Sequence, residues 1–225
     1  MPVAPPVDLD PRDYRGTYKL IGGAHCLDFV NLVSYRGTAR EHDWLDPAAN
    51  VRRWAAAAGI DDPPADGAPM EGQPADGAVE DGAPADGVVA VGRGGLDALR
   101  RLREAMARVL LAVADHEAPP VTDVAALGRV ATDAWHRRRL VPGAGGAAAT
   151  WDDAALDLRH RLALDAAALL TSPASVRALR ACDECRWLFL DTTRNRSRRW
   201  CDPADCGNRV RQRRHQQRTA GRATR

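Results

Sequence analysis

Four of the chain's five cysteines fall in one stretch, Cys182-x2-Cys185-x15-Cys201-x4-Cys206. Two residues between the first pair let one tight turn place both sulfurs on a single ion, at about 2.3 Å each. The spacing predicts one structural Zn2+ held by Cys182, Cys185, Cys201 and Cys206. The competing chemistry, a CxxC redox pair, needs a βαβ setting and leaves Cys201 and Cys206 without a role. Directly after the last cysteine comes Arg209-Val-Arg-Gln-Arg-Arg-His-Gln-Gln-Arg218. From Arg177 onward, 14 arginines stand against 5 acids, a net of +9, while the rest of the chain has 18 basic and 25 acidic residues, a net of −7. A total of only +2 thus hides a basic C-terminal module, an asymmetry that points to a polyanion.

The elements that must position these groups follow from the local sequence. Trp187–Leu190 reads as a strand, Arg194–Arg196 as a turn and Arg198–Trp200 as the returning strand. Asp202 is the expected N-cap of a helix, with Pro203 at its first position and Asp205 an acid in its first turn. Cys206 then lies near the positive end of the helix dipole, where a thiolate is favoured. Knuckle, hairpin and ligand on a helix form the layout of a treble clef. Four thiolates on Zn2+ leave a charge of −2, and Arg186, Arg199 and Arg209 are near enough in sequence to compensate it. Gly207 either admits a close backbone approach or is merely tolerated; Asn208 either bonds a carbonyl of the site or is solvated.

The helix beyond Cys206 is polar on every face apart from Val210, so core packing alone does not hold it. Arg209 and Arg213 share one face; Arg211, Arg214 and Arg218 share another. Arg209, Arg211, Arg213, Arg214, Gln217 and Arg218 are the expected nucleic-acid contacts, since Arg and Gln donate to phosphates and base edges alike. Six arginines on phosphates would give a slope of log affinity against log salt near about −5. DNA is the expected partner and RNA the alternative. The competing class is a structural or protein-interaction zinc module.

Upstream, 45% hydrophobic residues and only 5% aromatic ones predict a core of Ala, Leu and Val, hence mostly helices. Residues 1–13 read as a loose Pro-rich lead-in, Tyr18–Ile21 as a short strand, and His25–Val33 as a helix after the Gly22-Gly23 break. Asp46-Pro47 marks a helix start and Gly59 its end. From 61 to 95, Pro-Ala-Asp-Gly recurs every ten residues amid eight acids and one arginine. That composition predicts a disordered acidic insertion, either a tolerated loop or a tether competing for the basic tail. Helices follow over Leu96–Glu117, from Thr122 or Asp123 through Leu127, Val130 and Trp135, from Asp152 through Leu169, and from Ser172-Pro173 toward Cys182. Arg137–Val141 and Ala147–Trp151 suggest a hairpin.

Cys206-Gly207-Asn208-Arg209, after a CxxC and a Trp-Cys, resembles the CGNR zinc-finger family. Gly22-Gly23-x3-Leu27-Asp28-Phe29-Val30-Asn31 resembles the glycine pair and LDFVN signature of the ABATE domain, which usually precedes that finger. His25-Cys26 and the acidic insertion depart from the pattern without touching the zinc ligands. The resemblance implies a bacterial, stress-linked transcription regulator with the finger as its DNA-binding part. The fold class expected is α+β: a mainly helical ABATE-like domain over 14–175, the treble-clef-like finger over 178–218, and a flexible tail over 219–225.

Asp28 and Asn31, with Tyr35 nearby, are candidates to line an effector pocket; capping and hydrogen bonding between elements is the competing role. Adjacent residues on a helix point about 100° apart, so His25 and Cys26 make no dyad, and Cys26 reads as a small buried residue. Paired carboxylates, HExxH and a phosphate loop are absent, Gly92-Arg-Gly-Gly95 follows no strand, and no enzyme is expected. Neither a signal peptide nor an apolar run of about 18 residues is evident, so a cytoplasmic location is expected. Oligomeric state is left open.

Overall fold

The computed structural model describes residues 4–60, 95–143, 145 and 148–223. The expected acidic insertion lies outside these but for Gly95. The chain runs β1 (Pro6–Val7), β2 (Tyr18–Lys19), α1 (His25–Val30), β3 (Val33–Ser34), β4 (His42–Asp43), α2 (Asn50–Ala57), α3 (Gly95–Ala114), α4 (Val121–Arg137), β5 (Arg139–Pro142), β6 (Ala149–Asp152), α5 (Leu158–Thr171), α6 (Pro173–Ala178), β7 (Leu179–Ala181), β8 (Leu188–Leu190) and α7 (Cys206–Ala223). The strands pair only two by two, antiparallel: β1–β2, β3–β4, β5–β6 and β7–β8. This mixed helix-and-strand fold is built around helices, with α3, α4 and α5 packed together and α1 lying against α3 and α5.

The amphipathic helices form as the apolar spacing predicts. On α3, Leu99, Leu102, Met106, Val109 and Leu110 are buried; on α5, Leu158, Leu162, Ala166 and Leu169 are. Asp157 caps α5 through a capping box with His160, and Ser172 caps α6 with Pro173 following. Gly59, at φ +65°, ends the α2 segment in the left-handed region.

Several expectations are corrected. Pro6–Val7 in the lead-in pairs with Tyr18–Lys19, and Leu9 is buried. Asn50 fixes this segment: its amide bonds both main-chain groups of Asp10 and the carbonyl of Trp44, each at 2.9 Å. Asn50, not Asp46-Pro47, opens α2, because Asp46 is turned outward to Arg12. Helix α1 stops at Val30, and Val33–Ser34 instead pairs with His42–Asp43. Asp152 sits in the β5–β6 hairpin paired with Arg139 and starts no helix. Trp135 faces solvent, edge-on to Trp151 with Arg138 over both rings.

The β1–α2 region closes over Tyr18, which is fully buried, donates its hydroxyl proton to the Asp28 carbonyl and accepts from the Trp54 indole at 3.0 Å. One apolar cluster continues from Tyr18, Leu27 and Phe29 through Leu99, Met106 and Leu162 to Leu188, Phe189 and the four clustered cysteines. The cysteine region thus shares its core with the helices.

Candidate functional site

The cysteine loop is built on the β7–β8 hairpin. Cys182 donates its backbone N–H to the Trp187 carbonyl (2.8 Å), and Arg186, at φ +64°, donates to that of Cys182 (3.0 Å). That turn gathers Cys182 and Cys185. A loop over 191–200 then brings back Cys201, and Cys206 is the first residue of α7. All four sulfurs are buried and lie within 4.8 Å of one another. Cys185–Cys201 is 3.4 Å and Cys201–Cys206 is 3.6 Å. A tetrahedron of bonds of about 2.3 Å has sulfur separations of about 3.8 Å, so the pocket fits Zn2+.

Within the cluster, hydrogen bonds from the other three thiols push Cys182 down toward the thiolate. Bonding to Cys182 pushes Cys185 and Cys201 up. A dication at the centre favours the thiolate at every ligand. The site holds one Zn2+.

The returning strand expected at Arg198–Trp200 does not form; β8 pairs with β7 across the knuckle instead. Its other edge is already taken. Asn31 accepts from the Leu188 N–H at 2.7 Å and donates to its carbonyl at 2.9 Å, while Gly22 accepts from Leu190 at 2.8 Å. The 191–200 loop is organised by buried Asp191, which accepts from the backbone of Thr193 and Arg198, both at 2.9 Å. Arg198 lies over the Phe189 ring and donates to the carbonyls of Trp200 and Cys201. Helix α7 also starts later than expected. Asp202 does not cap it: its carboxylate accepts from Ala204 N–H (2.8 Å) and from Lys19, the chain's only lysine (2.7 Å). Burial raises the Asp202 pKa, but Lys19 and that N–H outweigh it and hold the carboxyl below the usual range.

The two effector candidates are engaged internally. Both ends of the Asn31 amide are spent on Leu188. Asp28 accepts from Gly22 N–H at 2.7 Å and Ile21 N–H at 2.9 Å, shaping the glycine turn. Burial raises its pKa to about 6 against these bonds. Cys26 is fully buried, as expected.

The expected charge compensators are paired with carboxylates: Arg186 with Asp115, Arg199 with Asp183, Arg209 with Asp205. Arg209 also donates to Tyr35, whose hydroxyl burial pushes up to about 12. Arg213 grips Glu184, an acid of the knuckle itself that Arg40 also approaches at 3.9 Å. Glu184 and Lys19 escaped the sequence reading; an acid between two thiolate ligands, facing a basic tail, was the available signal. Arg211 donates to the Pro203 carbonyl (3.2 Å). Arg214, Gln217 and Arg218 are exposed. At 100° per residue, Cys206, Arg209 and Arg213 form one stripe of α7, and Arg211, Arg214 and Arg218 lie roughly 140° round from it, with Gln217 back on the anchored side. Asn208 is exposed, whereas Gly207 is buried beneath the Trp200 ring, which a Cβ there would meet at 3.3 Å. The helix runs on through Ala223.

Two family models match the chain. The ABATE model, described as "putative stress-induced transcription regulator", matches residues 23–173, and the CGNR zinc-finger model matches residues 178–219. Neither is an enzyme family. A comparison with curated proteins found no significant match. No helix among the described residues is long and apolar enough to cross a membrane.

Proposed function

Because the chain belongs to the ABATE family and carries a CGNR zinc finger, we propose that it is a zinc-dependent nucleic-acid-binding regulator, with DNA the expected partner. The observation that carries this reading is the division of α7 into two sides. Zinc through Cys206, Asp205 and Tyr35 through Arg209, and Glu184 through Arg213 hold one side. The other presents Arg211, Arg214 and Arg218, which have no carboxylate partner among the described residues. Arg209 and Arg213 then position the helix, and the outward arginines meet phosphates.

The test is anisotropy binding of a random-sequence DNA duplex pool across salt. Three phosphate contacts account for about 2.7 of the log–log slope, so R211A/R214A/R218A lowers it by about that amount, while R213A leaves it nearly unchanged. Absence of salt-dependent binding to DNA and RNA alike ends the reading. A second reading, a zinc module that mainly stabilises the N-terminal region, is favoured by the bonds of Asn31 and Gly22 to β8. It predicts intact zinc and stability without nucleic-acid binding.

A further inference from the structure

Beside the basic side of α7 lies an open cleft of about 610 Å³. It separates the 193–204 loop from the β2 segment and is floored by Leu20, Ile21, Trp200, Pro203 and Ala204. The volume is that of a small-molecule site; the cleft touches the zinc centre at Cys201 alone, and no arginine of α7 lines it. The half-buried Trp200 ring packs on Gly207, with the Arg199 guanidinium 5.6 Å from its centroid.

The charged residues lining the cleft are Arg198, Arg199 and Asp202, the last already paired with Lys19. Arg211 joins the cleft to the outward side of α7, since its guanidinium rests on the Pro203 carbonyl. Arg194 and Arg196 are exposed on the same loop, between the lining residues Thr193 and Ser197, and carry no side-chain partner among the described residues. An aromatic-floored slot with guanidinium groups at its rim matches a flat apolar ring system attached to phosphates. Inside a continuous duplex both faces of every base are covered by neighbouring pairs; only an unpaired base can lay a face on a protein ring.

We infer that this cleft takes an unpaired nucleobase, and that the partner is a single-stranded nucleic acid whose phosphates run from the 194–196 loop across Arg211 to α7. The inference rests on the reading of α7 as a nucleic-acid surface and narrows its partner.

The experiment compares a short random-sequence oligonucleotide, as single-stranded DNA, single-stranded RNA and fully paired duplex, bound by the zinc-loaded full chain at equal salt. One base–aromatic stack should favour the better single strand over the duplex by about tenfold. Ala204→Leu fills the cleft from an exposed position, adds no charge and leaves the backbone bond to Asp202 in place. It should reduce single-strand binding to the duplex level without changing the salt slope. Trp200→Leu should do the same, with its zinc content checked because the ring packs on Gly207. Duplex binding equal to or tighter than that of both single strands overturns the inference, as does single-strand binding untouched by Ala204→Leu. In either case salt-dependent binding that survives leaves the nucleic-acid reading standing. Absence of binding to all three forms overturns that reading and this one together.

Discussion

Asn31 offers the sharpest test of how the zinc-binding region is tied to the helical core. Its side chain is 1% exposed and satisfies both main-chain groups of Leu188, 157 residues away. Asn31→Ala leaves that buried N–H and carbonyl without partners. An orphaned buried polar group costs about 1–3 kcal/mol, so the pair should cost about 4 kcal/mol. For a chain of this size each kcal/mol lowers Tm by about 2–4 °C, which predicts a fall of about 8–16 °C at saturating zinc. Asn31→Asp is the informative companion. It keeps an acceptor for the Leu188 N–H but turns a second oxygen toward the Leu188 carbonyl, so near neutral pH it should be at least as damaging as alanine. Scanning calorimetry gives the Tm, and a colorimetric chelator gives the rate of zinc release, which should rise in both variants because β8 carries the knuckle. A Tm loss under about 3 °C, or destabilisation by Asn31→Ala but not by Asn31→Asp, would refute the edge-pairing role.

Three further outcomes follow from the same contacts. Burial raises the Asp28 pKa from 3.8 to about 6, so its contribution to stability is complete below the unfolded pKa and is lost as pH rises through about 6. Asn keeps the acceptor for Ile21 and Gly22. Asp28→Asn should therefore flatten the stability profile over this window and gain up to about 3 kcal/mol at neutral pH, and urea-unfolding profiles parallel to those of the wild type would contradict this. A Cβ on Gly22 would stand 2.7 Å from that of Leu27 and 3.0 Å from the Asp28 backbone nitrogen, so Gly22→Ala should cost about 1–3 kcal/mol and hasten zinc release; a wild-type Tm would show the turn to be less constrained. Metal analysis should find one zinc per chain, absent from Cys182→Ser/Cys206→Ser. Removing an ion present at about a thousandfold its Kd removes about 4 kcal/mol; an apo Tm equal to that of the holo protein would show that the cysteine cluster does not brace the shared core.

What the sequence made legible was local. The zinc ligands follow from spacing alone, and α3 and α5 from apolar periodicity, because both signals are complete within a few turns of chain. Three helix starts misled for one shared reason. Asp46, Asp152 and Asp202 all resemble N-caps, yet the structure commits their carboxylates to Arg12, Arg139 and Lys19. Asp is as suited to turns and ion pairs as to caps, and the choice depends on a cation that for Asp202 lies 183 residues away in sequence. The β7–β8 pairing was hidden similarly: Trp187–Leu190 reads as a strand, but its edge partners are set by Asn31 and Gly22, which no window of local sequence contains.

The same remote contacts constrain how α7 can act. A helix whose aliphatic residues are Val210 and two alanines near its end has no apolar stripe to fix its rotation about its own axis. Its rotation must come from polar anchors, and these come from three places: the zinc-bound turn at Cys206, Tyr35 beside β3, and Glu184 within the knuckle. Tyr35 belongs to the N-terminal region, so a change there can reach α7 through Arg209 without disturbing a zinc ligand. Losing the Tyr35 hydroxyl while keeping zinc should therefore loosen the helix start. Tyr35→Phe is expected to leave one zinc per chain and faster amide exchange over 206–213; unchanged exchange would assign the helix's orientation to the metal and Glu184 alone.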